Sequence, residues 1–252
     1  MDTLYILTRS SGRAEFFRRC RESVKALTYP GPVIHIVHTD DPRDRYVEGD
    51  IIVQGEAHGP NMGSGPYNLY QNRLIQAIPG DGWVHFLDDD DEYTRPDVFD
   101  WLPDADPKMM HICKVQRGGD TVWPNKWKHQ TSFQTECFIV RQKLAKQGKW
   151  WADKGGDHYY TRQLTKKVKL DWHDILIVKA QEGKGHGARV DIGGVEPDYT
   201  KAYRASEVVP FKMFRHKGQR QGGKLTDVPY GEALVLEKHG FGRVTFRGVT
   251  VC

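Results

Sequence analysis

Four aspartates and a glutamate follow one another at residues 88–92, directly after the apolar segment 83–87. Neighbouring carboxylates repel one another and destabilise the chain unless a cation or solvent neutralises them. Because the preceding residues are predicted to form a buried strand, these carboxylates are held at a fixed point. Carboxylate oxygens without sulfur or imidazole suit hard ions such as Mg²⁺ or Mn²⁺. A solvated acidic turn or a lone calcium loop is the alternative, although the EF-hand spacing and its glycine are absent.

The segments around the acidic run show strand and helix patterns in alternation. Strands are predicted at 4–7, 33–37, 50–53 and 83–87, and helices at 13–27 and 67–78. In the second half, strands are predicted at 109–115, 137–140 and 175–178, and helices at 141–148 and 157–166. This order indicates an α/β fold with a mostly parallel central sheet and flanking helices.

Polar side chains follow three of the predicted strands at the point where each strand ends. Thr8 and Arg9 follow the first strand, and Asp40 and Asp41 follow the second, while the acidic run follows the fourth. Ligands of open α/β sheets bind beyond the carboxyl ends of the strands. We therefore expect these three clusters to lie at one edge of the sheet.

The charge is distributed unevenly along the chain. Residues 201–252 contain ten Lys and Arg against four Asp and Glu, a net charge of +6, whereas the whole chain carries +4. We predict that this segment is a small basic appendage that follows a body formed by residues 1–200. Its charge is compatible with a polyanionic partner, although by itself the charge favours the alternative, a solvated surface.

Length and composition indicate a globular protein. At 252 residues with 38% hydrophobic side chains, the chain is long enough to bury its own core. The sequence shows neither an apolar run of bilayer length nor a signal-peptide pattern, which predicts a cytoplasmic protein. The four cysteines form no CxxC pair and have no zinc-finger spacing, so free thiols are expected.

The acidic run and the strand before it resemble the DXD element of GT-A glycosyltransferases, especially those of the large family 2. In that family an apolar strand leads into Asp-x-Asp-Asp and then an acidic or polar residue. The match places the motif at Asp88 and Asp90. The resemblance implies the GT-A fold, donor contacts from Asp88 and Asp89, and a divalent metal, Mn²⁺ or Mg²⁺, on Asp90. Asp88 and Asp91 are the alternative metal ligands.

The similarity to this family extends over about residues 3–180. It includes the end of the first strand, the acidic turn after the second strand and an asparagine-bearing helix before the DXD element. The arginine that usually precedes that asparagine is replaced by Gln71. Outside the acidic run, the resemblance implies donor contacts from Thr8, Arg9, Asp40, Asp41, Asn72 and Arg73.

An inverting glycosyl transfer requires a carboxylate base that deprotonates the acceptor hydroxyl. Family 2 enzymes carry this base in an acidic element that opens a helix some tens of residues after the DXD element. Residues 155–160 are the most similar segment, which implies that Asp157 is the catalytic base, with Asp153 as the second choice. A helix N-cap is the alternative role for Asp157.

Aromatic and imidazole side chains near this base are further site residues in this interpretation. Trp150, Trp151 and His158 are expected at the acceptor, although packing in the core is an equal alternative for the two tryptophans. His186, in a glycine-rich loop, is expected to complete the metal shell, because some GT-A enzymes use a histidine from a late loop. A surface position or a role at the acceptor site is the alternative for that lone histidine.

The sequence thus predicts a metal-dependent, inverting glycosyltransferase that uses a nucleotide sugar, with a UDP-sugar favoured because UDP is the commonest donor in the family. A glycan or small molecule is the favoured acceptor, and a hydroxymethylated base in phage-type DNA is the second, since aromatic and basic residues mix at 211–217. A nucleotidyltransferase and a non-catalytic nucleotide-sugar binding module are the alternatives. The catalytic domain would comprise a nucleotide-sugar half at 1–100 and an acceptor half at 101–200.

Overall fold

A computed structural model describes residues 1–10, 12–41, 44–55, 66–117, 121–124, 133–152 and 155–180, together with four short strands between 209 and 251. The strands of the body are β1 (Thr3–Ser10), β2 (Val33–Thr39), β3 (Ile51–Gln54), β4 (Gly82–Phe86), β5 (Glu92–Tyr93), β6 (Met110–Arg117), β7 (Thr121–Trp123), β8 (Phe138–Arg141) and β9 (Leu170–Lys179). The α-helices are α1 (Ala14–Lys25), α2 (Leu69–Gln76), α3 (Gln142–Ala145) and α4 (Gly156–Thr165).

The body contains one nine-stranded sheet. Its order is β3-β2-β1-β4-β8-β6-β9-β5, and β7 pairs with β6. Strands β1 to β4, β6 and β9 run in one direction, and β5, β7 and β8 run against them. The predicted α/β fold with a mostly parallel sheet is therefore confirmed.

The central strands are buried because their apolar residues are continuous and not alternating. Leu4 to Leu7 of β1 are at most 3% exposed, and all five residues of β4 are buried. Strands that are covered on both faces have this composition in parallel sheets. Helix α1 packs against the sheet through Phe17, Cys20 and Val24, which recur at helical spacing.

An aromatic layer joins helix α4 to the centre of the sheet. Trp150 stacks on Tyr160 of α4 with ring centroids 4.5 Å apart, and both rings contact Phe86 at the end of β4. The side chain of Asn72 in α2 donates to the Trp150 carbonyl and accepts from its N–H, both at 3.0 Å. These contacts fix the start of α4 beside the carboxyl ends of β1 and β4.

The second sheet lies in the C-terminal part of the chain. Strands β10 (Val209–Lys212), β11 (Leu225–Val228), β12 (Val244–Phe246) and β13 (Val249–Val251) form it. They pair antiparallel in the order β11-β10-β12-β13. Among the residues that the structure describes, none of the helices combines the length and apolar character needed to cross a bilayer.

Candidate functional site

The carboxyl ends of β1 and β4 lie side by side and bring together an arginine and an aspartate. Leu7 of β1 is in register with Phe86 of β4, and the chain continues from these residues to Arg9 and Asp88. Arg9 donates from Nε and Nη2 to the two carboxylate oxygens of Asp88, each at 3.1 Å. This two-point contact gives the Asp88 carboxylate a fixed orientation. Burial opposes ionisation of Asp88, but the charge and hydrogen bonds of Arg9, together with the charges of Arg13 and Arg117, lower the pKa of Asp88.

A second arginine holds the next two aspartates. Arg13, directly before α1, contacts Asp89 through Nε and Nη2 and donates from Nη1 to Asp90 Oδ2 at 3.2 Å. Burial raises the pKa of Asp89 to about 7 and also raises the pKa of Asp90. The structure therefore neutralises much of the acidic run with guanidinium groups. The sequence interpretation considered only a metal ion or solvent for that role.

The four consecutive aspartates alternate in exposure. The side chains of Asp88 and Asp90 are 23% and 16% exposed, whereas Asp89 is fully buried and Asp91 is 4% exposed. Only the first and third carboxylates of the run are thus open to a ligand from solvent. These are the two positions at which the sequence predicts the DXD motif.

Arg9 also connects the acidic run to helix α4. Its Nη1 donates to Asn68 Oδ1 at 2.6 Å, and its guanidinium lies 4.7 Å from the centre of the Tyr67 ring. The Asn68 side chain packs against Gly156 at the start of α4, where an added Cβ would lie 2.4 Å from the Asn68 amide nitrogen. A side chain at Gly156 would therefore displace Asn68 from Arg9.

Asp157, the predicted base, lies in the first turn of α4 beside this network. It is partly buried, its side chain is hydrogen-bonded to Thr135, and it interacts electrostatically with Arg9 and Asp88. Loss of hydration raises its pKa, an effect that Arg9 opposes and Asp88 reinforces. The N-cap of α4 is Gly155, and no side chain caps this helix end. The alternative role of Asp157 as an N-cap is therefore excluded.

Glu136 is a carboxyl group at this site that the sequence did not reveal. It lies in the 3₁₀ turn Thr135–Cys137 before β8 and is 1% exposed. Burial, together with the charges of Asp88 and Asp157, raises its pKa to about 8. Arg117, at the end of β6, is 3.7 Å from Glu136 Oε2. At neutral pH Glu136 is thus a protonated carboxylic acid next to the predicted base.

The carboxyl groups at this edge outnumber the guanidinium groups, which favours binding of a divalent cation. Five carboxyl groups, those of Asp88, Asp89, Asp90, Glu136 and Asp157, interact with the three guanidinium groups of Arg9, Arg13 and Arg117. Because Glu136 keeps its proton at neutral pH, the other four carboxyl groups, when ionised, exceed the three guanidinium groups by one negative charge. Hard oxygen ligands with that excess fit Mg²⁺ or Mn²⁺. The part-exposed carboxylates are the ones that such an ion would reach.

The end of β2 carries a second polar group. Tyr70 of α2 donates from its hydroxyl to Asp40 at 2.6 Å and stacks on His38 with ring centroids 4.2 Å apart. Arg73 Nη1 lies 3.4 Å from His38 Nε2. Asp40 and Arg73 were predicted at the donor, and the structure brings both of them to the Tyr70–His38 pair. His38 is fully buried and Tyr70 is 5% exposed, so the ring pair lies in the interior, and Asp40 is the part-exposed member of this group.

The other predicted donor residues have contacts inside the fold. Thr8 is fully buried and hydrogen-bonded to His35 Nε2 at 2.8 Å. Asp41 is buried, and its backbone contacts the Thr39 hydroxyl. The Asn72 side chain binds the backbone of Trp150, as described above.

The predicted acceptor residues separate into a core side chain and a surface pair. Trp150 is fully buried, in line with the core alternative that the sequence left open. Trp151 is partly buried and stacks on Tyr159 at 5.2 Å, and His158 meets the same ring edge-on at 5.7 Å. Asp153 and His186 lie outside the described residues.

Three residues at the site had no recognisable signal in the sequence. Arg13 and Asn68 are single polar residues in the segments that lead into α1 and α2, and Glu136 occurs in a short irregular turn. Each of them contacts a residue that is distant in the chain, and Arg13 and Asp90, for example, are 77 residues apart. The role of Arg13 becomes evident only when its position beside the acidic run is known. That position follows from the order of the strands in the sheet.

No protein-family model matches the sequence, and no curated protein matches it. Solved structures do match its fold. S. aureus TarS 1-349 in complex with UDP-GlcNAc matches with a TM-score of 0.55 and 15% identity, over 81% of this chain and 65% of that chain. The mannosyltransferase PcManGT from Pyrobaculum calidifontis, in complex with GDP-Man and Mn²⁺, matches with a TM-score of 0.51 and 13% identity, over 73% and 58%.

A further structure of S. aureus TarS 1-349 gives a TM-score of 0.56 at 14% identity, and it covers 71% of this chain and 60% of that chain. At such identities the likeness establishes the fold. The body of this chain therefore has a GT-A-like glycosyltransferase fold, and the chain spans about three fifths of the length of the structures that it matches.

Proposed function

We propose that this chain is a divalent-cation-dependent glycosyltransferase that takes a sugar from a nucleotide-sugar donor. One observation carries the proposal. The part-exposed carboxylates of Asp88 and Asp90, the Arg9 guanidinium and the carboxyl group of Asp157 converge at the carboxyl ends of β1 and β4. The fold is one in which other proteins, TarS and PcManGT, hold UDP-GlcNAc and GDP-Man.

The donor would lie across the ends of β1, β2 and β4. Asp40, whose carboxylate accepts from the Tyr70 hydroxyl, offers a polar contact to the base. Arg9 and Arg13 offer guanidinium groups to the phosphates. A UDP-sugar is the favoured donor, and GDP-sugars are the second class to test.

Asp90, together with Asp88, would hold Mn²⁺ or Mg²⁺, and His186 is the expected additional ligand. When bound, the cation supplies positive charge to the departing nucleoside diphosphate. Arg13 contacts both Asp89 and Asp90, so each of these carboxyl groups has a cationic partner before a metal ion binds. This arrangement fits the cation because a charge excess remains after all three arginines are counted.

Asp157 would act as the base that takes the proton of the acceptor hydroxyl during an inverting transfer. A carboxylate that is partly removed from water and close to Asp88 binds a proton more tightly than a solvated one, which improves it as a base. Protonated Glu136 adds no negative charge that would repel Asp157 near neutral pH. His158 directly follows Asp157 in the chain, Trp151 lies six residues before it, and both are the proposed acceptor contacts.

A hydroxyl of a glycan or small molecule is the favoured acceptor, and a hydroxymethylated base in DNA is the second. The basic segment 201–252 is the reason for the second class, because a phosphate backbone requires cationic side chains. Such a base would have to leave the duplex to reach Asp157. Transfer onto duplexes with and without 5-hydroxymethylcytosine, at two salt concentrations, separates the two classes.

The deciding experiment incubates the protein with radiolabelled UDP-GlcNAc, UDP-glucose and GDP-mannose, with Mn²⁺ or with EDTA, and identifies the products. A glycosyltransferase releases the nucleoside diphosphate and free or transferred sugar only when metal is present. A nucleotidyltransferase would release or consume pyrophosphate, and a binding module would retain the donor unchanged. Metal-dependent release that is absent in Asp90→Ala supports the proposal, and full release in EDTA contradicts the metal role.

A further inference from the structure

Two histidines and an aspartate meet at the other end of the sheet, away from the carboxylate cluster. His111 lies near the start of β6 and is in register with Asp171 of the parallel strand β9. His173 follows two residues later, so its side chain points to the same face as Asp171. Arg117, which contacts the carboxylate cluster, is six residues further along β6, about 20 Å in a strand. This triad is therefore separate from the proposed glycosyl-transfer site.

The three ligand-type atoms of the triad form a nearly equilateral triangle. His111 Nδ1 is 3.0 Å from His173 Nε2 and 3.3 Å from Asp171 Oδ2, and the latter two atoms are 3.2 Å apart. Nitrogen and oxygen ligands at about 2.0–2.1 Å from a tetrahedral Zn²⁺ are about 3.3 Å from one another. The triangle therefore has nearly the dimensions of three corners of such a site.

The surroundings hold both rings in the orientation that binding requires. His111 Nε2 lies 2.9 Å from the carbonyl oxygen of Asp106, and this bond requires the hydrogen to be on Nε2. In the neutral ring, Nδ1 of His111 then presents its lone pair to the triangle. Trp101 stacks on the His173 ring with centroids 4.0 Å apart, and His111 itself is fully buried. A backbone acceptor behind a histidine is the usual support for a metal ligand.

Hydrogen bonds within the triad alone do not satisfy the contact between His111 Nδ1 and the Asp171 carboxylate. When His111 is neutral with its hydrogen on Nε2, the hydrogen on His173 Nε2 is the one that the triangle can contain, and the two other atoms can share it. The lone pair of His111 Nδ1 and the carboxylate oxygen of Asp171 still face each other at 3.3 Å as two acceptors. A cation at the centre would replace that repulsion with two bonds.

We propose that His111, Asp171 and His173 bind one Zn²⁺ ion or a similar borderline transition metal. The ion would enter from solvent, since the side chains of Asp171 and His173 are 42% and 20% exposed, and water would take the fourth corner. Histidine with carboxylate selects such metals over Mg²⁺. Bound there, it would join β9 to β6 immediately before the shift in their register that follows Ile112.

Cobalt binding tests this proposal directly. The full-length protein is freed of metal with EDTA, exchanged into buffer with excess Mg²⁺ to saturate the carboxylate cluster, and titrated with Co²⁺. We expect visible absorption bands of tetrahedral Co²⁺ that saturate at one equivalent and disappear on addition of Zn²⁺. Asp171→Asn and His173→Gln should weaken Co²⁺ binding by at least about a hundredfold, because even the loss of an outer-shell partner costs 10–100-fold.

The controls remove ligand-type groups from the other site. Asp90→Asn and His158→Gln should keep the wild-type Co²⁺ bands and affinity. Unchanged binding in Asp171→Asn, or loss of the bands in Asp90→Asn, would overturn the triad as the metal site. If His173→Gln does not fold, Asp171→Asn decides the question, because the Asp171 side chain is partly exposed and its replacement should be tolerated. Circular dichroism verifies the fold of the Asp171→Asn variant. The result does not depend on sugar transfer, so the two proposals can fail separately.

Discussion

At the scale of single residues, the site depends on how burial and charge set the protonation of its carboxyl groups. Asp88 is ionised because Arg9 contacts both of its oxygens, whereas Glu136 keeps a proton because it is buried near other carboxylates. Asp157 lies between these two cases, with Arg9 and Asp88 acting in opposite directions. Neighbouring carboxyl groups with different pKa values are what an acid–base reaction requires.

Replacing Asp157 with Asn should abolish sugar transfer and leave donor binding intact. Asparagine preserves the shape of the side chain and its contact with Thr135 but cannot accept the acceptor proton. We expect a loss of at least about 100-fold in kcat, within the range attributed to general base catalysis. Transfer kinetics and donor titration of the same preparation check this. Asp104→Asn, at an exposed position, should behave as wild type, and normal turnover in Asp157→Asn would exclude it as the base.

Glu136 should make stability fall as the pH rises. The folded protein keeps the Glu136 proton up to about pH 8, whereas the unfolded chain loses it near the ordinary value of 4.5. Between these pH values the folded state binds more protons, so the free energy of unfolding decreases with increasing pH. Glu136→Gln cannot titrate, and its stability relative to wild type should therefore increase from pH 5 to pH 8.

Urea unfolding at several pH values measures this difference. Glu48→Gln, which alters a side chain that is 66% exposed, is the matched control and should follow the wild-type pH dependence. Parallel curves for wild type and Glu136→Gln would show that Glu136 ionises normally in the folded state.

At the scale of secondary-structure elements, the site is formed where three segments meet. The ends of β1 and β4 supply Arg9 and Asp88, and the start of α4 supplies Asp157. Asn68, directly before α2, links them because it accepts from Arg9 and packs against Gly156. The absence of a side chain at Gly156 is therefore a condition for the correct placement of α4.

Gly156→Ala tests this packing. The new Cβ would lie 2.4 Å from the Asn68 amide nitrogen, so Asn68 must move and its 2.6 Å bond with Arg9 is lost. Since a misplacement of about 1 Å can reduce catalysis about 100-fold, we expect a loss of transfer activity near that size. Gly80→Ala, whose Cβ would meet only the Tyr5 hydroxyl at 3.1 Å, should retain wild-type activity. Equal activities of the two variants would contradict the proposed link.

The sequence was sufficient for the elements that carry a clear apolar pattern. β1, β2 and β4 were predicted because they are continuous apolar runs. The position of the acidic run at the end of a strand followed from the prediction of β4. β9 was predicted only at 175–178, yet it begins at Leu170, because polar residues such as Asp171, His173 and Asp174 conceal its first half. Contacts between distant segments, such as Arg13 with Asp89 or His111 with Asp171, have no local signal and follow from the sheet order.

At the scale of the whole molecule, charge is concentrated at one edge of the sheet at a cost in stability. The described body carries five interacting carboxyl groups against three guanidinium groups at the ends of β1 and β4. Burial raises the pKa of Asp89, Asp90, Glu136 and Asp157, which shows that their ionised forms are disfavoured in the fold. Proteins commonly retain such unfavourable clusters where function requires them.

Asp90→Asn should therefore stabilise the metal-free protein while it abolishes sugar transfer. The change removes one charge from the crowded cluster, and Arg13 keeps Asp89 as a partner. A gain of about 1 kcal/mol corresponds to an increase of about 2–4 °C in Tm for a body of this size. Mn²⁺ should raise the Tm of the wild type, because it binds the folded state, and should have a much smaller effect on the variant. Calorimetry in EDTA and in Mn²⁺, with Asp104→Asn as the control for loss of a surface charge, measures both effects. A lower Tm for Asp90→Asn in EDTA would mean that the ion pair of Asp90 with Arg13 outweighs the repulsion among the carboxylates, and the charge excess would then not explain metal binding.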